Sequence, residues 1–161
     1  MDINVLVRAV VDGNTIFWSW PSPPPTGPYP AAECVGIVND AQEFSLWLSP
    51  HVVRNVIRVL TDPSGYQWPA DRAEEYARVL IEIVQASGGQ IVEPRLTVSD
   101  CEDYEDNRIL ELALASNSSL IVSSDSHLLE MPPWQGIPII RPEEFVGRVD
   151  AMRRAARRHH V

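Results

Sequence analysis

The sequence predicts an α/β domain with a central, mainly parallel sheet, and three observations carry that prediction. Short β-branched runs alternate with amphipathic stretches along the chain, which is the pattern of a parallel sheet covered by helices on both faces. The length of 161 residues suits one domain with a sizeable core. No internal repeat divides the chain into smaller units.

The elements follow in order. Val5-Leu6-Val7, with Ala9, Val10 and Val11 behind it, reads as a buried strand running into a helix or turn. Residues 19–30 contain Pro23-Pro24-Pro25 and form neither helix nor central strand, so they are a loop. Trp18 and Trp20 at its start read as anchors that pin the loop to the domain, in preference to a base-stacking platform. Ala31 to Ala41 reads as a helix and Phe44 to Leu48 as a strand. Ser49 offers an N-cap and Pro50 a first helical residue. The helix they start, to about Leu60, carries Val52, Val53, Val56 and Leu60 on one face. Asp62-Pro63-Ser64-Gly65 is a turn. Asp71 is read as the cap of a helix with Ala73, Ala77, Leu80, Ile81 and Val84 as its stripe, ended by Gly88-Gly89. Ile91-Val92 is a short strand, Tyr104 to Ala115 a helix, Leu120 to Val122 and Ile137 to Ile140 two more strands, and Pro142 opens a last helix.

Composition narrows the function classes. The net charge of −9 gives no general basic surface, so nucleic-acid binding needs local help from bound cations or an arginine cluster. All 13 basic residues are Arg, which reads as genomic bias, although Arg also suits bidentate phosphate contact. No apolar run approaches the roughly 20 residues of a membrane span. The start of the chain lacks the pattern of a secretory signal, and Cys34 and Cys101 are too few for a disulfide framework or a zinc pair, so a reduced cytoplasm is expected. Ser123-Ser124 lacks the G-x-S-x-G context of a serine hydrolase, and no phosphate-cradling glycine loop is present. A phosphotransferase of the haloacid-dehalogenase type needs D-x-D and a lysine, whereas the chain has Asp2-Ile3-Asn4 and no lysine.

Ligands of parallel sheets bind at the carboxyl ends of the strands. Asp2, Asp106 and Asp125 fall at that edge by position. Clustered carboxylates repel, and a hard divalent cation such as Mg2+ or Mn2+ neutralises them. Each also has a purely structural reading. Asp103 reads as the N-cap of the helix that carries Asp106, Asp125 as a turn residue before a helix, and Asp2 as a terminal residue. His51 and His127 read as surface or capping residues.

Four segments resemble the PIN domain family. Asp2-Ile3-Asn4-Val5-Leu6-Val7 is similar to its D-x-N-V-L-[VI] opening. Asp103-Tyr104-Glu105-Asp106-Asn107, continuing to Ala113, resembles D-x-x-D-N-x-x-L-x-x-A. Ile121-Val122-Ser123-Ser124-Asp125 with Leu128-Leu129 resembles I-V-T-G-D-x-x-L-L, and Pro142-Glu143-Glu144-Phe145 resembles P-x-E-F. Within the family the chain is most similar to toxin components of bacterial toxin–antitoxin pairs, the VapC-like ribonucleases.

The resemblance implies a three-layer α/β/α fold with a parallel sheet of four to five strands over residues 1–147, followed by a basic tail over 148–161. It implies a Mg2+- or Mn2+-dependent endoribonuclease with Asp2, Asp106 and Asp125 as metal ligands. Asn4 would support the first strand's end, Ser123 would orient the first aspartate, and Asp103 would assist at the edge. An RNA substrate, an antitoxin partner and a homodimer are expected with it. Two departures stand out. Asn55 occupies the position of a family glutamate in the helix after Ser49, so one negative charge is missing; a domain that binds RNA or protein without cutting is the alternative. Only Met1 precedes Asp2, where the family has several apolar residues that complete a strand. Arg148, Arg153, Arg154, Arg157 and Arg158, with His159 and His160, read either as a solvated helix end or as a patch that steers RNA.

Overall fold

The computed structural model describes residues 1–12 and 28–158. Most of the loop expected over 19–30 lies outside those residues, as do Trp18, Trp20, His159 and His160.

The first element corrects the sequence reading. Residues Ile3–Val11 form a helix, α1, and not a strand. Ile3, Leu6, Val7 and Val10 follow helical spacing, and a continuous apolar run does not by itself separate a buried strand from a buried helix. Asp2 decides the matter: its carboxylate accepts the Val5 N–H at 2.9 Å and caps the first turn. Val5, Leu6 and Ala9 are fully buried, so α1 is a core helix.

Helix α2 (Pro30–Asn39) begins on a proline and is buried from Ala31 to Val38. Helix α3 (Pro50–Thr61) starts as expected, with the Ser49 hydroxyl accepting from Val52 N–H at 3.2 Å. Val52, Val56 and Leu60 are its buried stripe. Helix α4 (Ala70–Ala86) follows Pro69 and has no side-chain cap; Asp71 lies inside its first turn and accepts from the Arg72 N–H, a correction to its reading as the cap. The Tyr76 hydroxyl of α4 donates to the buried carbonyl of Leu6 at 2.6 Å and ties α4 to α1. Gly88 ends α4 at a φ of +81°, the left-handed conformation that glycine adopts without strain. At Gly89 a Cβ would stand 1.8 Å from the Leu46 carbonyl oxygen, so only glycine permits that approach.

Helix α5 (Tyr104–Ala115) leads to strand β1 (Ile121–Val122), the short helix α6 (Ser126–Leu129), strand β2 (Ile139–Ile140) and helix α7 (Pro142–Arg158). β1 and β2 are parallel, with Ile121 opposite Ile139 and Val122 opposite Ile140. Leu48 and Ile91 form a separate parallel bridge. The α/β class therefore holds, but among the described residues the sheet is smaller than the four to five strands expected. Phe44 to Leu48 and Ile91-Val92 pair at one bridge only, in part because the Leu46 N–H donates to the Ser87 hydroxyl at 3.0 Å instead of to a strand. Helix α1 packs on α2 and α3, α2 on α7, and α3 on α4 and α5. Among the described residues no helix is long and apolar enough to cross a membrane.

The expected boundary at residue 148 falls inside α7, which continues to Arg158. Arg153 is held at 2.7 Å by Asp40 and at 2.5 Å by Glu43, and the Asp40 side chain is fully buried. Its cation therefore anchors α7 at the end of α2, and this accounts for a residue that the sequence left among those steering RNA. Arg154 pairs with Asp150 one turn away, and Arg157 and Arg158 are exposed. Arg153→Ala leaves the Asp40 carboxylate buried without its cation, so a loss of about 2–4 kcal/mol is expected in urea unfolding. Arg157→Ala, at an exposed position, should change stability by less than about 0.5 kcal/mol; equal losses in the two variants would refute the anchoring role.

A candidate metal centre at the carboxyl edge of the sheet

Ser123, the residue after β1, is fully buried and sits between two of the aspartates. Its hydroxyl donates to Asp2 Oδ2 and accepts the Asp125 N–H at 2.9 Å. The Asp2 N–H in turn donates to the Val122 carbonyl at 3.0 Å. The start of the chain is thus fastened to the end of β1 by backbone and side chain together. Asp125 is the N-cap of α6, its Oδ1 accepting the His127 N–H at 2.8 Å.

Asp106 arrives from the first turn of α5. Asp103 is the N-cap there, as its position suggested, accepting the N–H groups of Glu105 at 2.7 Å and Asp106 at 3.3 Å. Asn107 fastens the preceding loop: its side-chain amide donates to the carbonyls of Cys101 and Asp103, and its oxygen accepts the Cys101 N–H. The Cys101 thiol lies 3.5 Å from Asp106 Oδ2.

Ligand atoms of Asp106, Asp125 and His127 lie within 4.8 Å of one another. His127 Nδ1 stands 3.9 Å from Asp106 Oδ2 and 3.6 Å from Asp125 Oδ1. Two carboxylates and an imidazole at that spacing are a donor set that fits one divalent cation. Asp2 stands outside this trio, and its two oxygens are occupied by Val5 and Ser123. Asn4, expected at a strand end, lies instead exposed in the first turn of α1.

A cleft of about 150 Å³ opens beside these groups, with Asp2, Asn4, Asp103, Asp106 and Asp125 among its walls. Glu105 and Arg58 line it as well, and the sequence reading gave neither a role. Asn55 faces this cleft group from α3. Its amide donates to Glu105 Oε2, His51 Nε2 lies 2.7 Å from the same oxygen, and Arg58 Nε donates to Asn55 Oδ1 at 2.8 Å. The position at which the family glutamate was expected thus holds a neutral amide matched to a carboxylate from α5. The sequence signal for Glu105 was its place beside Asp106; that for His127 was its place two residues after Asp125, in the turn that Asp125 caps.

The electrostatics fit a cation-binding centre. Burial, then the charge of Asp125, pushes the Asp106 carboxyl up to about 6. Burial also raises Asp2, against the opposing hydrogen bonds from Ser123 and Val5. Carboxylates kept near one another against their own repulsion are poised for a positive charge.

An α/β domain that gathers carboxylates at the carboxyl edge of a parallel sheet belongs to the class built to hold divalent cations there. The sequence model of the PIN domain matches residues 2–127, and the chain belongs to the PIN domain family. PIN domains are generally nucleases and typically bind divalent metals. No curated protein and no solved structure matches the chain.

Asp106 holds its proton more tightly folded than unfolded, so its ionisation costs stability as pH rises from about 4 through about 6, and the full cost remains above that. Asp106→Asn removes the cost, and in EDTA near neutral pH it should stabilise the protein by about 1 kcal/mol, less than the full shift because Asp106 borders the open cleft where solvent screens its charge. The gain should shrink toward about pH 4, where Asp106 is protonated in both states. Urea unfolding at both pH values checks this, and a loss of stability at neutral pH would contradict it. Ser123→Ala, which leaves the buried Asp2 oxygen without its donor, should cost about 1–3 kcal/mol in the same measurement.

Proposed function

We propose that the protein is a metal-dependent endoribonuclease that hydrolyses RNA phosphodiester bonds, and that it acts in the cytoplasm as the toxin of a toxin–antitoxin pair. The observation that carries the nuclease reading is the meeting of Asp106, Asp125 and His127 beside an open cleft in a PIN domain. RNA as the substrate, a cognate antitoxin and a homodimer rest on the resemblance to VapC-like proteins.

In this reading Asp106 and Asp125 hold Mg2+ or Mn2+, and His127 adds a nitrogen donor. A bound divalent cation supplies an activated water and stabilises the negative charge that develops on phosphate. The chain's own groups do the rest. Ser123 fixes the Asp125 backbone and the Asp2 carboxylate in one arrangement, which sets the position of the edge against which RNA lies. Arg58 borders the cleft and offers a guanidinium to a phosphate. Asp103 holds the first turn of α5, and with it Asp106, by capping.

Cleavage of single-stranded RNA should appear with Mg2+ or Mn2+ and vanish in EDTA. Asp106→Asn and Asp125→Asn should each lower the rate by about two orders of magnitude or more, the size of effect expected when a charge-stabilising group is removed. Unchanged cleavage in both purified variants would sink the reading. His127→Ala should weaken Mn2+ binding more than Mg2+ binding, since imidazole nitrogen suits the softer ion.

Asn55 favours a second reading, in which the domain binds RNA or a protein partner without cutting it. The neutral amide removes the charge that a glutamate would bring. This reading predicts no metal-dependent cleavage by the natural chain and its appearance in Asn55→Glu. Strong cleavage by the unaltered protein would reject it.

A further inference from the structure

A run of side-chain contacts leads from the cleft to an aromatic ring at its rim. Arg58 lines the cleft, and its Nε donates to Asn55 Oδ1 at 2.8 Å. The Asn55 amide donates to Glu105 Oε2, and the same oxygen meets His51 Nε2 at 2.7 Å. The His51 ring stands against Tyr104, with ring centres 6.0 Å apart and planes at 76°. In sequence Tyr104 sits between Asp103 and Glu105, and both of these line the cleft. Side chains in the first turn of a helix lean toward its amino end, so Tyr104, Glu105 and Asp106 fringe one opening from different sides.

Tyr104 is 60% exposed, more than any other large apolar residue described. A single exposed aromatic is ordinary. This one is braced. The Arg108 guanidinium lies 4.7 Å from the centre of its ring. Arg108 is in turn clamped by Glu111, which is buried and also accepts the Val98 N–H at 2.9 Å. The ring is thus backed by a fixed cation, touched by His51, and otherwise open to solvent. A tyrosine has two side-chain torsions, so a braced one offers a flat surface at little further cost in order.

Charge makes such a surface useful. With a net charge of −9 the protein cannot draw RNA by general attraction to phosphate. Stacking on an aromatic ring draws on no phosphate charge, and every base has a face that can stack.

We propose that Tyr104 is a stacking platform for one base of single-stranded RNA, holding a nucleotide beside the phosphate that lies in the cleft. The proposal rests on RNA as the substrate and deepens that reading. It gives the strand two fixed points: a phosphate near Arg58 and the metal ligands, and a base on Tyr104. The second point holds the strand in place without selecting a sequence.

Binding of labelled oligoadenylate, followed by fluorescence anisotropy in Ca2+ and in EDTA, separates the stack from cleavage. Tyr104→Ala should weaken binding about fivefold or more, the effect of losing one base–aromatic stack. Tyr104→Leu, which still packs against Arg108, should lose as much, and Tyr104→Trp should bind at least as tightly as the unaltered chain. An abasic strand of equal length should bind all four proteins alike. The loss in Tyr104→Ala should be the same at low and high salt, whereas Arg58→Ala should flatten the salt dependence. Unchanged binding in Tyr104→Ala and Tyr104→Leu would overturn the proposal and leave the nuclease reading standing. So would an equal loss on the abasic strand, since Tyr104 would then only be holding the start of α5. A Tyr104 effect in a protein that cuts nothing would sink cleavage and leave the stack. Failure of the unaltered chain to bind oligoadenylate under either condition would remove both.

Discussion

The hydroxyl of Ser123 is the point on which the functional edge depends. It bridges the carboxylate at the start of α1 and the backbone at the start of α6, from a position with no exposure to solvent. Two segments far apart in sequence meet through it: the first residues, and the end of β1 with the turn directly after it that carries Asp125 and His127. A two-residue strand pairing would be a weak platform alone. The side-chain bridge gives β1 a rigidity that its length does not.

Charge is the opposing pressure. Asp106 is held near Asp125 although both burial and repulsion resist its ionisation. The fold fastens the supporting loops with side-chain hydrogen bonds. Asn107 closes the Cys101–Asp103 loop, and Asn55 with His51 receives Glu105. A glutamate in place of Asn55 would set two carboxylates in contact, so the amide at that position and the carboxylate at Glu105 form one matched pair. Positive charge elsewhere is spent structurally, with Arg153 clamped by Asp40 and Glu43 beneath α7.

Sequence reasoning reached the elements whose ends carry their own signals. Ser49-Pro50 gave α3 its start, Asp103 gave α5 its start, and Asp125 was recognisable as a residue preceding a helix. It failed at α1, because the strand-like residues Val5-Leu6-Val7 outweighed the helical spacing of Ile3, Leu6, Val7 and Val10, with only Asn4 and Arg8 marking the exposed side. The strands at Phe44–Leu48 and Ile91–Val92 were overextended, because β propensity registers fit to a sheet and says nothing about whether a neighbouring strand is there to pair. Within the site, the aspartates were legible and the groups that embrace them were not. Their nearness in sequence to Asp106 and Asp125 was the only local signal for Glu105 and His127; what they touch, Asn55 on α3 and Asp106 on α5, is a relation between segments.

The caps that start α1, α5 and α6 have a further effect on the cleft. Asp2, Asp103 and Asp125 each sit where a helix begins, and all three border the same opening. The amino ends of helices carry partial positive charge from aligned peptide dipoles. The acids therefore stand in front of backbone that partly offsets them, and the opening is less repulsive to an approaching polyanion than its count of carboxylates indicates.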